Sequence, residues 1–157
     1  MGDAVRSHEL DPAEVNVGDL MSFPCYGKVL SNSLDGSVLS LENVDTGLTF
    51  EARGALVRAG FSANQVFEEV ELGKVKGALL LSTCFGAPVA ALYLKKDGSE
   101  RLVRGYLLPP SEPATILGYT LCVDCMLPHD HKGSRVRSIN HNTLRWFIWR
   151  GVKYTIK

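Results

Sequence analysis

With 157 residues, 45% of them hydrophobic and 22% charged, the chain has the balance of an ordinary soluble, folded protein and room for one compact domain or two very small ones. Its formal charge is zero, yet the charges are sorted: residues 1–72 carry twelve acids against four bases, residues 73–125 four against six, and residues 126–157 one acid, Asp130, against seven bases. The longest apolar stretch, Ala78-Leu79-Leu80-Leu81, is too short to cross a bilayer, and MGDAVRSHEL lacks the apolar core of a secretion signal, so the expectation is a cytoplasmic protein without membrane contact whose Cys25, Cys84, Cys122 and Cys125 stay reduced.

In chain order, Val17 to Phe23 opens with a Gly-Asp turn and continues as an apolar alternation. Tyr26 to Leu34 predicts a strand ending at Asp35-Gly36, where both residues tolerate positive φ, and Ser37 to Val44 is the return strand. Asp45-Thr46-Gly47 makes the next turn, and Leu48 to Ala52 another strand. A short helical or 3₁₀ piece over Gly54 to Ala59 leads to a strand near Gln65–Glu71. Short strands between tight turns predict a small antiparallel barrel over 15–72, preceded by a flexible tail over 1–14. Lys74 to Ser82 is the best helix candidate, because Val75, Ala78, Leu79 and Ser82 recur at helical spacing despite Gly73 and Gly77. Residues 73–86 are therefore read as a connection between two modules.

The second module, 87–157, begins again with strands. Pro88–Lys95 and Glu100–Leu107 flank Lys96-Asp97-Gly98-Ser99, and a two-residue Asp97-Gly98 loop would set Lys95 opposite Glu100. Pro109, Pro110 and Pro113 predict a rigid surface loop, followed by strands over Gly118–Asp124 and Arg135–Ile139. Leu144–Trp149 and Val152–Ile156 form a hairpin across Arg150-Gly151. That turn pairs Trp149 with Val152, Phe147 with Tyr154 and Arg145 with Ile156 on a core face. Leu144, Trp146 and Ile148 with Lys153, Thr155 and Lys157 share the other face, which is either covered or used for binding. Strand 88–95 is apolar on both sides (Val89 and Tyr93, then Leu92 and Leu94), so the two modules are expected to pack together.

Cys122-x-x-Cys125-x-x-x-His129-x-His131 has the donor types of a zinc site. Strand alternation over 118–124 would send Cys122 and Cys125 to opposite faces, and Val123-Asp124 offers no glycine for a knuckle, so buried thiols and loop histidines are the favoured reading and no metal or other cofactor is expected. A cysteine meeting His129, His131 or His141 in space would be the only route to a nucleophile, and no GxSxG, P-loop or GxGxxG motif is present, so the chain is read as no enzyme. The basic carboxyl-terminal quarter interleaves lysines and arginines with Trp146, Trp149 and Tyr154, the residue types that neutralise phosphates and stack on unpaired bases. The competing reading sets Trp149 and Tyr154 in the core and docks the basic half on the acidic one.

Phe85-Gly86-Ala87-Pro88-Val89, Lys95-Lys96-Asp97-Gly98-Ser99-Glu100-Arg101, Gly118 to Asp124, Arg135-Val136-Arg137 and Gly151-Val152-Lys153-Tyr154 together resemble small bacteriophage proteins with an SH3-like β-barrel fold. In those a KKDGxxR hairpin and a terminal NGxxY hairpin bracket the barrel; here Arg150-Gly151 stands in place of Asn-Gly. Gly18-Asp19, Tyr26-Gly27-Lys28-Val29 and Asn43-Val44-Asp45-Thr46-Gly47 separately resemble KOW- or Tudor-like barrels, which commonly bind nucleic acid or transcription machinery. In size and style the chain is similar to phage early modulators of host transcription. Neither resemblance implies catalytic residues.

The expectation is thus an all-β protein of two small SH3-like antiparallel barrels joined by a short helix. It would bind nucleic acid, DNA in preference to RNA, through Arg135, Arg137, Arg145, Trp146, Lys153 and Lys157, to modulate host transcription or the nucleoid. The alternative is a protein-interaction module that inhibits a host RNA polymerase or defence nuclease, through its acidic half or the Trp146–Ile148 patch.

Overall fold

The computed structural model describes residues 15–22, 25–33, 38–53, 61–109 and 118–157. The tail over 1–14, the Asp35-Gly36 turn, the piece over Gly54 to Ala59, and Pro110 and Pro113 of the proline loop lie outside the described residues. Within them the regular structure is almost wholly β, arranged as two sheets with one short helix.

The first sheet holds β1 (Leu20–Ser22), β2 (Tyr26–Asn32), β3 (Val38–Asn43), β4 (Thr49–Arg53) and β5 (Phe61–Ser62), in the order β4-β3-β2-β1-β5, every pair antiparallel. Alternation fills its core: Leu39 and Leu41 point inward from β3 and meet Val15, Met21, Val29 and Ala52, with Phe50 packed alongside. Asp19, itself buried, holds the chain's entry into this sheet by accepting the Asn16 amide at 3.0 Å and the Asn64 side-chain amide.

The second sheet runs β10-β9-β8-β7-β11-β12-β6, built from β6 (Glu68–Leu72), β7 (Val89–Leu94), β8 (Glu100–Leu107), β9 (Tyr119–Asp124), β10 (Val136–Asn140), β11 (Trp146–Trp149) and β12 (Val152–Ile156). The terminal hairpin has the expected register, with Trp149 opposite Val152 and Phe147 opposite Tyr154. Its turn takes φ 51° at Arg150 and 79° at Gly151, the doubly positive geometry that matches strand twist. The sheet curls, and β10 returns to within 8 Å of β7, Cα to Cα, three places away in strand order. Inside the curl lie Phe147, Ile139, Val103, Val89, Tyr93, Leu107 and Cys122.

Four sequence expectations are corrected. The strand over 65–71, assigned to the amino-terminal barrel, appears as β6 and lies parallel to β12 at the far edge of the second sheet. The helix, α1 (Lys74–Leu81), consequently joins two strands of one sheet, β6 and β7, instead of two separate modules. Its packing face is also rotated: Gly77, Ala78 and Leu81 are buried, while Val75 is 73% and Leu79 51% exposed. The cause is Gly77, where a Cβ would stand 2.4 Å from Ile156 Cδ1, so the glycine lets the helix approach β12 closely along a line that Val75 does not share. Leu144, placed on the outer face of the terminal hairpin by strict alternation, is instead in the core, because residues 144 and 145 precede β11 and do not keep its alternation.

The two sheets share a third apolar cluster. Ala90, Val123, Cys125 and Ile148 from the second sheet meet Leu20, Val44 and Ala63 from the first, flanked by Tyr26, Tyr106 and Trp146. Tyr26 and Tyr106 stack with centroids 4.7 Å apart and planes 16° from parallel. β7 is therefore covered on both sides, Val89, Ala91 and Tyr93 by its own sheet's core and Ala90 by the other sheet.

Candidate nucleic-acid interface

A cleft of about 560 Å³ lies between the β7–β8 hairpin and the β9–β10 pair. Among the described residues lining it, four are bases, Lys95, Lys96, Arg101 and Arg137, and none is a carboxylate. Tyr93 and Tyr119 contribute aromatic wall, and Ser138, Asn140 and Asn142 contribute neutral hydrogen-bonding groups.

Hairpin register keeps Glu100 out of this cleft. The expected two-residue loop would have placed Lys95 opposite Glu100; the observed pairing sets Leu94 opposite Glu100 and Tyr93 opposite Arg101. The turn is one residue longer because the Gly98 amide bonds to the Lys95 carbonyl at 3.0 Å, Gly98 takes φ 85°, and the Lys95 amide bonds to the Ser99 carbonyl at 2.8 Å. Alternation then groups Lys95 with Tyr93 and Arg101 on one face and leaves Glu100 with Leu94 on the other. Asp97 spends Oδ1 on the Ser99 amide, at 3.0 Å, and hydroxyl, at 2.6 Å.

The Tyr93 side chain forms part of the floor: it is 4% exposed, burial pushes its hydroxyl pKa up, and the Arg101 guanidinium, hydrogen bonded to it, pulls the other way. Thr143 braces the adjacent backbone, its hydroxyl accepting the Leu94 amide at 3.2 Å and donating to the Leu94 carbonyl at 3.0 Å.

Of the residues singled out in sequence, only Arg137 lines this cleft. Its Nη1 donates to the Ser134 carbonyl at 3.3 Å, and its Nε lies 3.8 Å from the buried carboxylate of Asp124, so part of its charge is answered from within. Arg135, expected to track a phosphate backbone beside Arg137, turns to the first sheet and bonds Val44 and Asp45. Arg145 is exposed just before β11. Trp146 is half-buried between the sheets with the Lys153 ammonium 4.9 Å above its ring, and so does not stand free to wedge or stack. Ile148, its companion in the supposed partner-binding patch, is 7% exposed. Lys157 lies 3.7 Å from Glu71 on the neighbouring strand.

The six residues therefore do not form one surface. Arg137 is on β10, the first strand of the sheet, and Lys153 on β12, the sixth, about 24 Å away along the sheet at ordinary strand spacing. Lys95, Lys96 and Arg101 were visible in the sequence as the bases of the KKDGxxR hairpin, but nothing local to them signals that β10 closes over them.

The cysteine-histidine pattern is also dispersed. Cys122, on β9, belongs to the core of the second sheet, and Cys125, in the turn that follows the strand, to the cluster between sheets. His129 lies against the other module, where a Cβ on Gly47 would sit 2.3 Å from its Cε1. Among the described residues, no three His, Cys, Asp or Glu side chains are grouped to hold a metal ion. Compared with models of protein families, with curated proteins and with solved structures, the chain matches none.

Proposed function

We propose that the protein binds nucleic acid without catalysing a reaction, and that the contact is the cleft of Lys95, Lys96, Arg101 and Arg137. The observation that carries this reading is four bases converging on one concavity whose lining, among the described residues, includes no acid. In a chain of zero net charge such a place is the point of attraction for a polyanion, and phosphates bound there would release counterions. The five-stranded antiparallel first sheet and the curled second sheet support two SH3-like units, to the second of which β6 is a parallel addition. The KKDGxxR hairpin that carries the phage resemblance also supplies three of the four bases, which supports a role in altering host transcription or the nucleoid.

The test is fluorescence anisotropy with labelled DNA at low and moderate salt. Lys95→Ala with Lys96→Ala should weaken binding at least tenfold and flatten the salt dependence, whereas Lys153→Ala with Lys157→Ala should leave both near wild type. No binding at low salt would sink this reading. One observation favours a second: Val75 and Leu79, one turn apart on the outer side of α1, are 73% and 51% exposed, the kind of apolar pair a protein partner would cover. Replacing both with Ser and finding DNA binding unchanged while a host-protein complex is lost would select that alternative.

A further inference from the structure

Resting on the proposal that the basic cleft receives nucleic acid, we infer that it takes an unpaired nucleotide, so that the protein selects single strands over duplex. The shape is the first argument. A cavity of about 560 Å³ has the size of sites that enclose one small molecule, and a nucleotide fits such a space where a stretch of duplex does not.

Side-chain chemistry is the second. Lys95 and Lys96 on the hairpin and Arg101 beside them provide the charge for a phosphate. Tyr119, half-buried across the cleft, has a ring for a base to rest on. A duplex hides the faces of its bases and would leave that ring unused; an unpaired base offers its π-face. Asn140 and Asn142 stand at the same wall as Tyr119, with amide groups suited to a base edge. The Asn140 side-chain oxygen already accepts the Asn142 backbone amide at 2.9 Å, which leaves its NH₂ group to donate to such an edge.

The experiment compares three probes on the full chain: a labelled ten-nucleotide dT strand, a duplex of the same length, and heparin, a polyanion without bases. The dT strand should bind at least tenfold more tightly than the duplex. Tyr119→Ala should weaken dT binding about tenfold and leave heparin unchanged, while Tyr119→Phe, which keeps the ring, should bind dT as wild type does. Lys96→Glu should weaken all three probes together. Equal affinity for strand and duplex, or a Tyr119→Ala protein that holds dT as tightly as wild type, overturns the single-strand inference while the basic cleft stands. Failure of all three probes at low salt overturns the parent reading with it.

Discussion

The guanidinium of Arg135 and the carboxylate of Asp45, ninety positions apart in sequence, meet at 3.0 Å across the seam between the two sheets. The same carboxylate oxygen accepts the Tyr106 hydroxyl at 2.8 Å, and Arg135 also donates to the Val44 carbonyl at 2.9 Å. Here the acidic and basic halves of the chain touch, and one of the bases that the sequence offers to an outside partner is spent inside. Burial and the bond to Asp45 both push the Tyr106 hydroxyl pKa up, so it remains a donor throughout the working pH range.

Asp45→Ala should loosen this seam. The carboxylate is 46% exposed, so solvent screens the pair; Arg135, at 16%, would nevertheless lose its counter-charge and keep only the Val44 carbonyl as acceptor. A loss of about 1 kcal/mol is expected in urea unfolding. Because the effect runs through Arg135, the same substitution made in an Arg135→Ala background should cost less. Equal costs in the two backgrounds would show that the ion pair contributes nothing to the seam.

Gly105→Ala should be far more damaging than its chemistry suggests. A Cβ at Gly105 would lie 1.7 Å from the Val123 carbonyl oxygen, which is backbone and cannot rotate away. Separating β8 from β9 to make room would disrupt the ladder that joins them, at an expected cost above about 3 kcal/mol. Gly98→Ala is the control: its φ of 85° is strained for alanine, yet nothing lies within 4 Å, so about 1 kcal/mol is expected. Similar thermal midpoints for the two variants would contradict the close approach of β8 and β9.

How much of this was legible depended on distance along the chain. The β11–β12 hairpin was readable to the residue because Arg150-Gly151 sets both the turn and the register locally. The β7–β8 register slipped by one because Lys96-Asp97-Gly98-Ser99 admits two loop lengths, and the longer one, with Gly98 at positive φ, is adopted. The partner of β6 was not readable: Glu68-Glu69-Val70-Glu71-Leu72 alternates in the same way whichever sheet it joins, and its neighbour β12 lies some eighty residues on. The cleft failed to show for the same reason, since Lys95 and Arg137 come together only through the curl that returns β10 to β7.

Thiol chemistry should separate Cys25 from the other three cysteines. Burial pushes Cys84 up to about 12, against the opposing charge of Arg150. It likewise pushes Cys125 up to about 12, and it raises Cys122 further with help from Cys125 and Asp124. Cys25 is half-buried, between β1 and β2. In mildly alkaline buffer an aromatic disulfide reagent should label one thiol per folded chain quickly and all four in guanidinium chloride. Fast labelling of a second thiol in the folded protein would mean that one of the buried cysteines opens to solvent.

Mild acid should weaken the fold through His141. His141 is 8% exposed, with Nε2 2.7 Å from the hydroxyl of Thr120, itself 4% exposed. Burial lowers its pKa from 6.5 because the cationic ring loses more hydration than the neutral one. The unfolded chain therefore takes up the proton first as pH falls. Stability from this group is fully present above the unfolded value of 6.5, declines as pH drops below it, and levels off beneath the folded pKa. His141→Gln keeps an amide near the Nε2 position and cannot titrate. Urea midpoints of the wild type should fall between about pH 7 and pH 5.5 by more than those of the variant, and parallel profiles would show that His141 carries no proton linkage.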